Sequence, residues 1–240
     1  MKVEFIHHSS FYIELSDCSL LFDYYKGVLP DFNEDKPVII FISHRHGDHF
    51  SQRVFDIREK YKNVYYIISN DINQLAVRDK KNVDFIGPGE NRFYDFGGCR
   101  LNVRTLKSTD EGVAFLIDIQ GDRIYFGGDL NYWYWQGESR VWNDSQKDAY
   151  LEQLKKLRSM LDKDNKDIKL AFVPLDTRQQ EYAYLGITYF MEMIDAEHVF
   201  PMHINGSFNI IDRFKEKPYV KRFADKIIRI KKDNEVFEIC

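Results

Sequence analysis

Several features that would assign the chain to a common protein class are missing from its sequence. No stretch approaches the roughly 20 consecutive apolar residues that a membrane-spanning helix needs. Basic and acidic residues are nearly balanced, 34 against 38, so the net charge of −4 offers no basic excess for binding nucleic acid or an anionic membrane. We therefore expect a small-molecule substrate, with neither nucleic acid nor membrane as a partner. The oligomeric state stays open.

Cysteine is also scarce. The three cysteines, Cys18, Cys99 and Cys240, lie far apart and form no Cys-x-x-Cys pair. We interpret them as free thiols in a reducing compartment. The opening residues Met1–Phe5 lack the apolar run of a signal peptide, so a cytoplasmic location is expected.

The remaining composition is that of an ordinary globular protein. Hydrophobic residues make up 44% and charged residues 30% of the 240 positions. That length is sufficient for one large α/β domain with a sizeable core, and no repeat, low-complexity segment or linker divides it. We expect a single domain over residues 1–240. Aromatic residues are abundant at 15%, and some of them should line a pocket.

The most informative stretch is Ile42–Phe50, which reads Ile-Ser-His-Arg-His-Gly-Asp-His-Phe. It follows Val38–Ile42, a short apolar run rich in β-branched residues that predicts a buried strand. In open α/β sheets, ligands bind where the chain leaves the carboxyl ends of the strands. Imidazole and carboxylate groups are the usual protein ligands of zinc, manganese and iron. The candidate metal ligands in this stretch are His44, His46, Asp48 and His49.

Two further candidates follow predicted strands in the same way. Asp129 comes after the glycine pair Gly127-Gly128, which allows the backbone to pass close to a ligand. His203 directly follows the predicted strand Val199–Met202. We expect these two side chains and the four of the histidine stretch to converge on one point.

The pattern His-x-His-x-Asp-His at residues 44–49 resembles the signature of the metallo-β-lactamase superfamily, and the resemblance extends from the opening strands through His203. It implies an α/β fold, a four-layered αββα sandwich, with one or two divalent metal ions per chain. Zinc is the first expectation, with manganese or iron as alternatives. Asp129 is similar to the family's aspartate that joins two metals, and His203 to its last metal histidine. Asp23 is similar to an aspartate that supports the metal loop by hydrogen bonds, the alternative being an ordinary turn residue.

One part of the family pattern is missing. The superfamily places another metal histidine between the first motif and the bridging aspartate, but no histidine occurs between His49 and His198. Ser108 or Thr109 takes that place, and a neutral hydroxyl is a poor zinc ligand, so Asp110 is the candidate substitute. We therefore expect an asymmetric centre. The first site would use His44, His46 and Asp129, and the second would use the fuller set Asp48, His49, His203 and Asp129.

Other residues could support the metals or contact a substrate. His8 stands in Ile-His-His-Ser-Ser-Phe, which resembles the opening of the branch that includes the lactonase acting on phosphorylated ascorbate. It is either a pocket residue or a structural histidine. Trp133 and Trp135 either form a substrate wall or pack against the following helix. Arg178 either holds an anionic substrate group or pairs with Asp176 at the surface.

The resemblance implies a metal-dependent hydrolase in which an activated water attacks a small ester, lactone or phosphodiester, with Asp48 and Asp129 as catalytic residues. The lactonase branch favours a carboxylic ester or lactone. The alternatives are a phosphodiesterase of the same fold and a non-enzymatic metal- or ligand-binding relative, the latter because of the missing histidine.

Local patterns predict the helices and the end of the chain. The predicted helices are Ser51–Lys60 with Ser51 as its N-cap, Ile72–Arg78, Ser145–Leu161, Ile187–Ala196 and Tyr219–Lys226. A hairpin of Ile227–Ile230 and Val236–Ile239 is expected to close the chain.

Overall fold

The computed structural model describes residues 1–75, 77 and 80–239. Thirteen strands lie within them: β1 (Lys2–His7), β2 (Ser10–Glu14), β3 (Ser19–Phe22), β4 (Val38–Ile42), β5 (Val64–Ser69), β6 (Val83–Ile86), β7 (Asn91–Phe96), β8 (Cys99–Lys107), β9 (Val113–Ile119), β10 (Asp122–Phe126), β11 (Leu170–Pro174), β12 (His198–Met202) and β13 (Glu235–Glu238). The α-helices are α1 (Ile57–Lys60), α2 (Arg140–Asp164), α3 (Leu185–Met193) and α4 (Asn209–Lys215). In the same described residues, three 3₁₀ segments span Gln52–Asp56, Thr177–Tyr184 and Lys221–Lys226.

The strands form two mixed sheets. The first has the order β13-β1-β2-β3-β4-β5-β6, and the second has the order β12-β11-β10-β9-β8-β7. Strands β3 to β6 run parallel to one another, as do β10, β11 and β12. The loops at the carboxyl ends of these parallel strands therefore gather at one edge of each sheet, where parallel sheets place their ligand sites.

The two sheets pack face to face through aromatic side chains. Phe22 of the first sheet stacks on Phe126 of the second with ring centroids 4.7 Å apart. Phe11 and Phe172 make a second cross-sheet contact at 4.5 Å. All four rings are fully buried. Such pairs add about 0.5–1.5 kcal/mol each beyond their burial, so the abundant aromatic residues hold the two sheets together.

Helices cover the outer face of each sheet. Val54 and Ile57, from the Gln52–Asp56 segment and α1, pack with Ile40 of β4 in a separate apolar cluster. On the other side, Phe190 of α3 stacks on Tyr125 of β10 at 5.1 Å. The four layers are therefore helix, sheet, sheet and helix, which confirms the predicted αββα sandwich.

Most predicted helices are present with shifted bounds. Ser51 caps its helix as expected by accepting a hydrogen bond from the Arg53 amide, but the first turn is 3₁₀. Helix α2 begins earlier than predicted because the Ser139 side chain accepts a hydrogen bond from the Trp142 amide and so caps it. Within the described part of the chain, every helix is too short or too polar to cross a bilayer.

The predicted closing hairpin is wrong. Strand β13 pairs with β1 instead, because β1 offers an open edge next to the core. Ile227 makes only an isolated parallel bridge with Val199. The predicted helix Ile72–Arg78 extends outside the described residues, and Cys240 lies outside them.

Candidate metal centre

The predicted ligands occupy the loops that follow parallel strands. The histidine loop leaves β4, Asp129 follows β10 and His203 follows β12. Asp110 lies between the antiparallel strands β8 and β9, whose connection reaches the same edge. Side chains from both sheets meet there because the sheets are packed face to face.

The first ligand group combines four side chains: His44, His46, Asp110 and Asp129. One ligand atom from each lies within 4.8 Å of the others. His44 Nε2 is 3.5 Å from Asp129 Oδ2, and His46 Nδ1 is 3.4 Å from Asp110 Oδ2. His44 is fully buried and His46 is partly exposed, so this group opens to solvent on one side.

The second ligand group combines His8, Asp48, His49 and His203, again within 4.8 Å of one another. Asp48 Oδ2 lies 3.4 Å from His8 Nε2 and 3.7 Å from His203 Nε2. Asp129 approaches this group too, because its Oδ1 is 3.2 Å from His49 Nε2 and 3.6 Å from His203 Nε2. The two oxygens of Asp129 therefore face different groups.

These separations fit the spacing of metal ligands. Two ligands bound about 2.0–2.2 Å from a tetrahedral ion lie roughly 3.3–3.6 Å apart. The inward-facing atoms are buried and have no hydrogen-bond partner among the described residues: His8 Nε2, His44 Nε2, His49 Nε2, His203 Nε2 and Asp129 Oδ1. Buried polar atoms are normally paired, so a cluster of unpaired ligand atoms fits a bound cation. Divalent metals suit this mixed imidazole and carboxylate set.

Asp23 orients two of the imidazoles from behind. Its carboxylate accepts hydrogen bonds from the Ser43 hydroxyl at 2.6 Å and the Ser43 amide at 2.7 Å. It also lies 2.7 Å from His49 Nδ1, which donates to it. Because the Ser43 hydroxyl donates to Asp23, it accepts from His44 Nδ1 at 2.9 Å. Both Nε2 lone pairs are thereby directed at the centre, as in other metal sites.

Asp176 orients His203 in the same way. Its Oδ2 lies 2.9 Å from His203 Nδ1, and the residue is fully buried. Arg178 Nε donates to the same carboxylate at 2.8 Å. The surface ion pair considered as an alternative is therefore a buried support for His203. Arg178 is thus paired with Asp176, and its side chain remains partly exposed and lines the cavity.

Burial and neighbouring charges set the protonation states. Burial and the nearby His49 lower the pKa of His44 from 6.5 to about 3. Burial would also lower the pKa of His49, but the Asp129 and Asp23 carboxylates outweigh it and raise that pKa well above its usual value. Burial would raise the pKa of Asp129, yet the charges of His49 and His203 hold it well below its usual value. The carboxylates around His49 therefore favour a positive charge at this point, which a bound metal cation would supply.

The place of the missing histidine is shared by three residues with different roles. The Ser108 hydroxyl accepts a hydrogen bond from the Asp110 amide at 3.1 Å. The Thr109 hydroxyl donates to the Asn131 carbonyl at 2.6 Å and so ties two site loops together. The Asp110 carboxylate belongs to the first ligand group, whereas the two hydroxyls take part in these backbone hydrogen bonds.

The two tryptophans lie beside the metal ligands. Trp133 Nε1 donates to the Asp129 carbonyl at 2.9 Å, and its ring contacts His203 edge-on at 5.7 Å. Trp135 is parallel to Trp133 within 3°. Asn143 of α2 holds the Trp135 backbone through two hydrogen bonds of 2.9 Å. The Trp135 backbone is therefore tied to α2, while both indole rings line a cavity.

That cavity has a volume of about 320 Å³ and opens directly onto the ligands. Trp142 of α2 lines it too. Sequence reasoning missed two residues that contribute to the site: Ser43 connects Asp23 to His44, and Gln146 of α2 lines the cavity wall. No local signal marks them, because a serine after a strand and a glutamine on a helix are both common.

A glycine allows the Asp110 loop to approach the histidine loop. Gly112 has φ of +67°, and a Cβ there would lie 2.0 Å from the Ser43 carbonyl oxygen and 2.6 Å from His44 Cβ. We expect Gly112→Ala to destabilise the fold by at least about 2 kcal/mol, through strain and overpacking, and to lower Tm by roughly 4–8 °C. Thermal unfolding measures this loss.

The matched control is Gly121→Ala. Gly121 also has positive φ, +85°, but no atom of the described residues lies within 4 Å of its added Cβ. Equal loss of Tm in the two variants would contradict the close approach of the two loops.

Comparison with known families identifies a match over more than half of the chain. The model described as the beta-lactamase superfamily domain matches residues 2–134. A protein named UPF0173 metal-dependent hydrolase, from Alkaliphilus metalliredigens, is 30% identical over 142 residues, which are 54% of this chain and 63% of that protein. The chain thus spans less than two thirds of the length of this curated relative.

Solved structures show the same architecture. A novel metallo hydrolase from the archaeon Ignicoccus hospitalis has a TM-score of 0.67 at 17% identity, covering 99% of both chains. The diiron β-hydroxylase CmlA of Streptomyces venezuelae has a TM-score of 0.63 at 12% identity, covering 98% of this chain and 53% of its own. At these identities the likeness shows the fold alone, and the two named activities differ. The fold therefore does not choose the reaction, which depends on the site.

Proposed function

The chain belongs to the β-lactamase superfamily, and on that premise we propose that it is a metal-dependent hydrolase. One observation carries the proposal. Two groups of inward-facing imidazole and carboxylate atoms, without hydrogen-bond partners among the described residues, meet at Asp129, whose two oxygens face one group each.

The chain's own residues suit hydrolysis at this point. A bound divalent ion lowers the pKa of water toward ~7 and polarises the oxygen of the bond under attack. Asp48 lines the cavity, and the neighbouring His8 holds the pKa of its carboxyl well below the usual range. Asp48 is therefore ionised at neutral pH and can accept a hydrogen bond from a water and orient it. Asp23 and Asp176 keep the imidazoles aimed at the centre.

The substrate we propose is a small carboxylic ester or lactone, with a small phosphodiester as the alternative. The cavity of about 320 Å³ is at the lower end of the range that holds drug-sized ligands, roughly 300–1,000 Å³. The net charge of −4 disfavours a nucleic-acid substrate. Cys18 and Cys99 are buried free thiols, which suits a reducing compartment such as the cytoplasm.

A panel of generic substrates tests the reaction class. We expect protein with measured bound metal to turn over p-nitrophenyl acetate or a simple lactone faster than bis-p-nitrophenyl phosphate. The reverse order would favour the phosphodiesterase. No turnover of any of them by metal-loaded protein would favour the non-enzymatic relative.

The first ligand group is proposed to use Asp110 in place of the missing histidine. Zinc remains the first candidate metal, but a second carboxylate in this group favours manganese or iron more than a site of three histidines would. We expect Asp110→Asn to weaken one of two metal-binding steps, because an amide is a poorer ligand than a carboxylate. Calorimetric titration of the apo protein measures both steps.

The neighbouring Glu111→Gln variant is the control, since Glu111 pairs with Arg45 outside both ligand groups. Asp110→His is expected to retain both steps. Two equal and tight steps in Asp110→Asn would show that Asp110 is not a ligand.

A further inference from the structure

The cavity beside the metal ligands has one wall of indole rings. Trp133, Trp135 and Trp142 line it, and the first two are parallel within 3° with centroids 6.0 Å apart. Aromatic rings pair best when offset and parallel or edge-to-face, with centroids about 4.5–7 Å apart. A flat ring entering this cavity can therefore extend the existing stack.

The same cavity contains an amide that lacks a partner. Gln146 Oε1 is shielded from solvent and has no hydrogen-bond partner among the described residues. Gln146 lies on α2 and lines the cavity together with the tryptophans. A buried acceptor left unpaired is costly, so a turn of the Gln146 amide toward a hydrogen-bond donor on a ligand in the cavity would be favourable.

The charges in the cavity disfavour a cationic ligand. Tryptophan faces attract cations in general. Here, the carboxylates of Asp48, Asp110 and Asp129 line the same cavity and would attract a cation too. They are the proposed metal ligands, however, and bound divalent ions would offset their negative charge and disfavour a cation beside them. Arg178 also lines the cavity, and its guanidinium is paired with Asp176.

We propose that this cavity recognises substrates that carry an aromatic nitrogen heterocycle, which stacks on the tryptophan wall and donates its N–H to Gln146. The proposal rests on the proposed hydrolase function, because the ester or lactone group of the same molecule would face the metal ligands. It adds the substrate class, which the metal ligands alone do not specify.

Four carboxylates test the proposal by calorimetric binding to zinc-loaded protein: indole-3-carboxylate, 1-methylindole-3-carboxylate, cyclohexanecarboxylate and trimethylglycine. Each has a carboxylate for the metal, and they differ only in what they present to the cavity. We expect indole-3-carboxylate to bind at least ~5-fold more tightly than each of the others, from stacking and from pairing the buried amide. Equal binding of the two indoles, or tighter binding of trimethylglycine, would overturn the proposal.

Two variants test which residues cause the preference for indole-3-carboxylate. Gln146→Leu should reduce the preference for indole over its N-methyl form to less than ~2-fold, because the acceptor is gone. Trp135→Leu should reduce the preference for indole-3-carboxylate over cyclohexanecarboxylate. It should leave the preference for indole-3-carboxylate over its N-methyl form unchanged. Gln136→Leu, an exposed glutamine on the preceding loop, is the control and should change neither preference. Unchanged preferences in both cavity variants would also overturn the proposal.

Repeating the titrations after chelation tests the cavity proposal independently of the proposed metal centre. If all four carboxylates bind equally and only with metal, the cavity proposal is wrong and the metal centre stands. If indole-3-carboxylate binds equally with and without metal, the cavity proposal stands and the metal centre is in doubt. If indole-3-carboxylate does not bind with or without metal, the cavity proposal is wrong. The measured metal content of the sample then shows whether the metal centre exists.

Discussion

Asp129→Asn is expected to lower turnover by more than ~100-fold and to weaken metal binding at both ligand groups. The Asp129 carboxylate faces His44 with one oxygen and His49 and His203 with the other. Residues that only orient a ligand typically contribute ~10–100-fold, and a ligand shared by two ions should contribute more. Asparagine keeps the shape of the side chain and removes its charge. Turnover and metal content by mass spectrometry measure the result.

Asp23→Asn is the informative comparison, because Asp23 supports His49 and Ser43 without facing the centre. Its loss of turnover should stay within ~10–100-fold. Asp148→Asn, at an exposed position on α2, should behave as the unmodified protein. If Asp129→Asn bound two ions tightly and lost less activity than Asp23→Asn, the bridging role would be refuted.

Removing metal is expected to abolish turnover and to lower Tm by roughly 5–10 °C. Without a cation, His44, His49 and His203 each retain a buried nitrogen with no hydrogen-bond partner among the described residues. A ligand present at 100 times its Kd stabilises the fold by about 2.7 kcal/mol, and each kcal/mol shifts Tm by about 2–4 °C at this size. Prolonged chelation followed by thermal unfolding and an activity assay measures both effects.

Addition of zinc or manganese should restore turnover and Tm together. The Asp129→Asn variant provides the control, since chelation should shift its Tm much less. Full turnover in a preparation shown to be metal-free would exclude a metal-dependent mechanism.

The fold was predictable because its strands carry strong local signals. Val38–Ile42 is an unbroken apolar run, and it forms β4 with the predicted bounds. The closing hairpin was not predictable in the same way. Glu235–Glu238 pairs with β1, which is more than 200 residues away in sequence. A local sequence pattern does not predict which strand an edge strand pairs with.

The site was predictable in its residue types and only partly in its connections. The spacing of His44, His46, Asp48 and His49 placed four candidates in one loop, and the structure brings Asp129 and His203 to them. His8 was left between two interpretations, yet its ring lies 4.1 Å from that of His203. The position of the ring depends on the left-handed backbone conformation of His8 itself, with φ of +56°, which the sequence does not predict.

The sequence by itself determined the family, the αββα layers and the set of imidazoles and carboxylates available for a metal, because these depend on local patterns and on residue types. Only the tertiary structure decided which atoms meet. The Asp110 carboxylate belongs to the first ligand group, while the Ser108 and Thr109 hydroxyls make backbone hydrogen bonds. Asp176 supports His203 and also pairs with Arg178. These outcomes depend on how closely loops from two different sheets approach, and the packing of the sheets sets that distance, which no single segment of the chain encodes.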